Sequence, residues 1–238
     1  MKSHPVLHSL TLAAAALLLA GAAQAQTVIG TGNNVAFPIV INQSGSYKLG
    51  KNLTVPPGSH GVLVGSGIDV TIDLNGFSIV GGATCSRTGC AGPLTTVGIR
   101  VGNSSARIVN GALSGFSANA IGYDGDAPYA KFTVDSVNLS RNYNGIVALF
   151  LVATRVTASD NAHRGIQTSD GVVANSLAIH NGNVGIAVSV GSVQGNVALY
   201  NNTGFSLGAV AYDGNTGISN NAGNYKAAYA VSGGNVGL

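Results

Sequence analysis

The sequence predicts an all-β protein that folds as a single-stranded right-handed parallel β-helix, a solenoid of about 8–10 coils with about 20–22 residues each. A glycine followed by an apolar residue recurs at nearly equal steps, at Gly145, Gly165, Gly185 and Gly204. An asparagine precedes each of these glycines, at Asn142, Asn161, Asn181 and Asn201. Short alternating runs precede each asparagine, at Val137/Leu139, Val156/Ala158, Leu177/Ile179 and Val197/Leu199. A period of about 20 residues with strands but no helical pattern is typical of a solenoid.

The repeated asparagines and glycines are explained by the corners that such a coil needs. Side chains of a strand alternate between two faces, so every second apolar residue of a run can point inward and rest on the next coil. Glycine adopts backbone angles that other residues avoid, and asparagine tolerates the left-handed region. Asparagines at the same corner of successive coils can also pair their amides in a ladder. We therefore interpret the four asparagines as structural.

Composition supports a thin core and excludes some partners. Glycine accounts for 35 of 238 residues, 45% of the chain is hydrophobic and only 8% is charged. That apolar content is too high for a disordered chain. The formal net charge of +3 falls to about +2 if residues 1–25 are removed, because Lys2 is lost with them. So small a charge predicts no nucleic-acid partner.

Residues 1–25 have the pattern of a secretory signal peptide. Lys2 is followed by an apolar run that is too short to span a bilayer, and Ala23-Gln24-Ala25 is a small-x-small cleavage site. The alternative is an amphiphilic helix that the protein retains. No second long apolar run follows, so we expect a secreted or periplasmic protein with no transmembrane segment after cleavage.

After the signal, residues 26–60 are predicted to form an N-terminal cap with the first strands, and residues 61–238 the β-helix. The strand from Val70 to Asn75 alternates aliphatic and polar residues and ends in an Asn-Gly corner, which recurs further along the chain at Asn110-Gly111. One coil of about 20–22 residues is too short to explain this separation, so we predict an insert at 83–96. A second insert is predicted at 122–130.

The run from Ser44 to Tyr47, together with the run from Val70 to Ile79, resembles the opening of secreted bacterial right-handed β-helix repeat proteins, which share the fold of pectate lyases. The resemblance covers most of the chain after the signal as a repeat type. It implies the fold and, as an expectation, an activity on carbohydrate.

The first insert contains both cysteines of the chain, Cys85 and Cys90. In an exported protein two cysteines at this spacing predict one disulfide that closes a tight loop. A zinc site would need four ligands, and no histidine lies close by in the sequence.

Stacking of coils predicts one shared corner for six polar side chains. Tyr143, His163 and Arg164 lie between the repeated asparagine and glycine, Arg141 and Asp160 directly precede the asparagines, and the cysteine loop with Arg87 starts from the same corner. The candidate catalytic residues are His163, Arg164 and Tyr143. The candidate substrate-binding residues are Arg141, Asp160 and Arg87. Arginine would pair with a sugar carboxylate, and His163 or Tyr143 would move the proton in a β-elimination, while Tyr143 could alternatively stack on a sugar face. The alternative is that all six are ordinary exposed turn residues.

Three aspartates predict a candidate calcium site at another corner. Asp124 and Asp126 belong to the second insert, and Asp170 should stack on nearly the same side two coils later. Carboxylate oxygens are the ligands that Ca²⁺ prefers. Aspartates that merely form turns are the alternative.

Two functions remain open from the sequence. One is a carbohydrate-active or carbohydrate-binding protein that binds, and cleaves by β-elimination, an acidic polysaccharide. The other is a non-catalytic structural or adhesive module. The chain lacks the Asn-Thr-Asp, Asp-Asp, Gly-His-Gly and Arg-Ile-Lys motifs of the polygalacturonases that share this fold, which favours the second function. The polar corner favours the first.

Overall fold

The computed structural model describes residues 25–92, 95–227, 231–232 and 234–237, and within these ranges the chain forms strands and turns but no helix. The predicted all-β class is therefore confirmed for the described residues. The predicted signal peptide, apart from Ala25, lies outside them. No helix among the described residues is long and apolar enough to cross a membrane.

The chain runs through short strands separated by tight corners. In the described ranges the strands are β1 (Thr27–Ile29), β2 (Ile39–Ile41), β3 (Gly45–Leu49), β4 (Leu53–Thr54), β5 (Val62–Val64), β6 (Asp69–Asp73), β7 (Ser78–Val80), β8 (Cys85–Ser86), β9 (Gly89–Cys90), β10 (Val97–Val101), β11 (Ser105–Ser114), β12 (Asn119–Tyr123), β13 (Lys131–Ser140), β14 (Asn144–Thr154), β15 (Thr157–Ser159), β16 (Ile166–Ala174), β17 (Leu177–Ile179), β18 (Val184–Gln194), β19 (Val197–Leu199), β20 (Thr203–Asp213), β21 (Thr216–Ile218), β22 (Tyr225–Ala227), β23 (Val231–Ser232) and β24 (Val236–Gly237).

Twenty-two of these strands form one large sheet in which the pairings are parallel, and β8 and β9 form a separate antiparallel hairpin. The pairings connect the strands in three rows. Row A joins β2, β5, β10, β12, the first parts of β14, β16, β18 and β20, and β22. Row B joins β1, β3, β6, the first parts of β11 and β13, the second parts of β14, β16, β18 and β20, and β23. Row C joins β4, β7, the second parts of β11 and β13, and β15, β17, β19, β21 and β24. This long parallel sheet is compatible with a β-helix solenoid.

The core is a column of aliphatic side chains that stack from strand to strand. In row A the register aligns Val62, Ile99, Ile121, Ile146, Ile166, Ile186 and Phe205. All seven side chains are fully buried. Each side chain therefore packs against the residue one coil away and is removed from water. This burial of apolar surface is the main stabilising contribution in such a stack.

The predicted inward residues of row C are correct for two coils and wrong for the next two. Leu139 and Ala158 are fully buried as predicted, but Ala178 and Ala198 are buried in place of Leu177/Ile179 and Val197/Leu199. The residue just before each ladder asparagine adopts a left-handed backbone and interrupts the alternation. The inward position is therefore the third before the asparagine in every coil, whatever residue stands there.

Candidate functional site

The repeated asparagines form a buried ladder. Asn142, Asn161, Asn181 and Asn201 are fully buried, and each donates from its backbone N–H and its side-chain amide to the Oδ1 atom of the next ladder asparagine. Asn220 receives the last of these bonds, from Asn201. The ladder satisfies amides that would otherwise be buried without partners, so it holds the corner and offers nothing to a ligand.

A second ladder lies between row B and row C, and the sequence reasoning missed it. Asn196 donates to Asn215 and Asn215 to Asn235, while Ser176 donates its backbone N–H to Asn196. The sequence does contain a pattern that predicts this second ladder, because these asparagines recur with the same spacing as those of the first ladder. The serine that occupies this register in an earlier coil hides the start of that series.

Immediately before the first ladder, four side chains form an outward column. Arg141, Asp160, His180 and Tyr200 all have φ between 53° and 55°, the left-handed region. The His180 ring stacks on the Tyr200 ring at 5.2 Å, and its Nδ1 atom lies 3.8 Å from Asp160 Oδ1. Sequence reasoning gave His180 and Tyr200 no role, although both occupy the register of Arg141 and Asp160. We call the corner formed by this column and by Tyr143 and His163 the ladder corner.

His163 is held on both sides by asparagines. Its Nδ1 atom lies 3.2 Å from Asn144 Oδ1, its Nε2 atom lies 2.8 Å from Asn183 Nδ2, and its ring stacks on Tyr143 at 5.3 Å. Burial, together with the charge of Arg164, holds the pKa of His163 below its usual value. A neutral ring with a proton on Nδ1 satisfies both bonds. Proton transfer by His163 would first require the loss of one of these bonds.

Two of the three arginines of the predicted corner, Arg141 and Arg164, line different clefts. Arg141 lines a cleft of about 330 Å³ beside Cys85 and the start of the cysteine loop. Arg164 bonds to Gln167 and lines a separate cleft of about 330 Å³ on the outer face of row A. The structure therefore places Arg141, Asp160, Tyr143 and His163 along one corner and directs Arg164 away from it.

The predicted disulfide between Cys85 and Cys90 is confirmed, and it closes the β8–β9 hairpin. A disulfide is compatible with an extracellular or periplasmic protein. The hairpin extends over the ladder corner: a methyl group on Gly182 would come within 2.2 Å of the Arg87 carbonyl oxygen and equally close to that of Ala162. Arg87 therefore lies over the corner through its backbone, against a glycine that leaves room for it.

The aspartates predicted to bind calcium have other neighbours. Asp124 forms a salt bridge with Arg100 at 2.7 Å, and this hydrogen bond holds the pKa of Asp124 below its usual value. Asp170 lies in row B, in register with Phe150 and Val190. The described residues contain no group of three or more His, Cys, Asp or Glu side chains suited to a metal ion. A guanidinium group bound to Asp124 disfavours a cation at that carboxylate, and the calcium site at Asp124, Asp126 and Asp170 remains a prediction.

A polar groove lies on the outer face of row B. Its volume is about 670 Å³. We call it the row B groove; its polar side chains are Ser44, Ser46, Asp69, Thr71, Ser105, Arg107, Lys131 and Thr133. The register aligns Thr71, Arg107 and Thr133 in one outward column and Asp69, Ser105 and Lys131 in the next.

The two cations of the row B groove are exposed and available to a ligand. Among the described residues, Arg107 and Lys131 take part in no salt bridge and no side-chain hydrogen bond. Asp135 interacts electrostatically with Arg107 but already has closer partners: it accepts from Thr154 at 2.7 Å and pairs with Arg155 at 2.5 Å. These contacts hold the pKa of Asp135 below its usual value. The groove therefore offers two positive charges, with Asp69 as its only acidic lining residue.

An exposed tyrosine lies two residues before Lys131 in the chain. Tyr129 is 71% exposed, ends the insert shortly before Lys131, and is anchored by its backbone N–H to Asn103 Oδ1 at 3.1 Å. Sequence reasoning missed the groove because its residues belong to coils separated by inserts. The sequence pattern that could have predicted the groove is the alternation of polar side chains at Ser105/Arg107 and at Lys131/Thr133.

Comparisons of the chain with protein-family models, with curated proteins and with solved structures found no match.

Proposed function

We propose that the chain is an exported right-handed parallel β-helix of the pectate-lyase-like type that binds an acidic polysaccharide along the row B groove. The observation that carries the proposal is the pair of exposed cations, Arg107 and Lys131, set among hydroxyl side chains on one flat face. Carboxylates of a uronic-acid polymer pair with such cations, and arginine can do so through two parallel hydrogen bonds.

The neighbouring groups suit the rest of a sugar chain. Thr71, Ser105 and Thr133 present hydroxyls that donate to and accept from sugar hydroxyls. Tyr129, an exposed ring two residues before Lys131 in the chain, is a candidate to stack on a sugar face. The groove crosses adjacent strands that lie about 4.8 Å apart, so an extended polymer can contact one coil after another.

Cleavage by β-elimination is a separate candidate function, in which Tyr143 and His163 would transfer the proton to a polysaccharide bound at the ladder corner and not in the row B groove. Binding without cleavage, as in a structural or adhesive module, is the competing function. The observation that favours it is that both ring nitrogens of His163 already have partners.

The test is calorimetric titration with a panel of uronic-acid polymers. We expect the Arg107→Gln/Lys131→Gln double variant to lose up to about thirtyfold in affinity, since two exposed charged contacts contribute up to about 1 kcal/mol each. Added salt should weaken binding of the unmodified protein. Lys226→Gln, a single neutralisation of an exposed lysine in row A, is the control and should bind normally.

Equal affinity of the double variant and the unmodified protein would refute binding in the row B groove. Absorbance of unsaturated product, recorded in the same panel, separates cleavage from binding. Product formation that survives His163→Asn and Tyr143→Phe would remove both residues from the chemistry.

A further inference from the structure

Four large apolar side chains are exposed together on row B, just beyond the row B groove. We call them the apolar strip: Phe150 at 38%, Val152 at 44%, Val172 at 37% and Val190 at 49% exposed. They belong to three consecutive strands of the row, contributed by β14, β16 and β18. A contiguous exposed apolar patch is costly in water and commonly marks a contact surface.

The apolar strip continues the columns of the row B groove without a gap. Lys131 is in register with Phe150, and Thr133 is in register with Val152, which is followed by Val172. Asp170 stands between Phe150 and Val190 in the first column, so the uninterrupted apolar path runs over Val152 and Val172. The same face is thus cationic at one end and aliphatic at the other.

We propose that the ligand is an acidic glycan that carries an acyl group, with its carboxylates on Arg107 and Lys131 and its acyl chain along Val152 and Val172. The inference rests on the proposed function and names its substrate class. An unsubstituted acidic sugar would leave the aliphatic side chains without a partner. Two cations beside an apolar path complement an anionic ligand with an apolar substituent.

The size of the apolar strip favours such a substituent over a second protein chain. It crosses three strands, so its length is about two strand spacings, roughly 10 Å, and its width is about two residues along a strand, roughly 7 Å. A stable protein interface needs about 800 Å² from each partner, which is several times this area. One short acyl chain matches it.

The experiment compares two probes: an unmodified uronic-acid tetrasaccharide and the same tetrasaccharide carrying an octyl group. Burial of two or three methylene groups predicts roughly fifteen- to sixty-fold tighter binding of the octyl probe. Val152→Thr/Val172→Thr should remove most of this gain and leave the affinity for the unmodified probe unchanged. Threonine keeps the branched shape that strands favour, so the fold is preserved. Val40→Thr, at a 51% exposed site on β2 in row A, is the matched control.

The outcomes separate the two proposals. If both probes bind equally and both depend on Arg107 and Lys131, the acyl site is refuted and the proposed function stands. If neither probe binds, the proposed function fails, and the acyl inference fails with it. Binding to vesicles of anionic lipid but to neither probe would assign this face to a membrane surface and overturn both.

Discussion

Removal of one ladder asparagine should destabilise the protein by about 4 kcal/mol, a magnitude that follows from the hydrogen bonds it would break. The buried Asn181 amide accepts from the Asn161 backbone N–H at 3.2 Å and from the Asn161 side chain at 2.9 Å. It donates to the Ala158 carbonyl at 3.0 Å and to Asn201 Oδ1 at 2.9 Å. Asn181→Ala leaves the Asn161 N–H and the Ala158 carbonyl without these partners, at about 1–3 kcal/mol each, and adds a small cavity.

Urea unfolding followed by far-UV circular dichroism measures this loss. Domains are typically stable by about 5–15 kcal/mol, so a loss of about 4 kcal/mol should move the midpoint strongly. Asn138→Ala is the matched control, because Asn138 is an exposed asparagine on row C, and it should change stability by less than about 0.5 kcal/mol. If the two variants unfolded at the same urea concentration, the ladder would not stabilise the fold.

Two further predictions concern the histidines and the cysteine loop. Burial, followed by a neighbouring arginine, holds the folded-state pKa of His163 and of His60 below the usual value of about 6.5, so the unfolded chain binds protons more readily. The stability that the two neutral histidines allow is fully present above a pH of about 6.5 and is lost as the pH falls towards the folded-state pKa values. The variant His60→Asn/His163→Asn should therefore reduce the dependence of the free energy of unfolding on pH between neutral and mildly acidic conditions. An unchanged pH dependence in this variant would contradict the prediction. Gly182→Ala should push the cysteine loop and the neighbouring coil away from this corner, since its methyl group meets both the Arg87 and the Ala162 carbonyl, and it should speed tryptic cleavage after Arg87 as followed by mass spectrometry. Gly125→Ala, with nothing within 4 Å, is the control, and equal cleavage rates in both variants would refute the contact.

The contacts at the ladder corner were only partly predictable. Arg141 and Asp160 share a column because each precedes a ladder asparagine, and spacing alone reveals that. The bonds of His163 to Asn144 and Asn183 depend on how one coil is rotated over the next, which the sequence does not specify. The same holds for Arg164, which turns towards Gln167.

What the sequence by itself determined is the class of fold, because strands, corners and the asparagine ladder are local signals that recur once in every coil. The disulfide was also readable, because its two cysteines lie close together in the chain. Only the tertiary structure decided which aliphatic residues face outward in row C, because a left-handed residue such as His180 shifts the alternation. It also decided the row B groove, because the strands that carry Arg107 and Lys131 become neighbours only in the folded chain. The strand register brings residues that are distant in the sequence into contact. Inserts and the backbone conformation of the corners set that register.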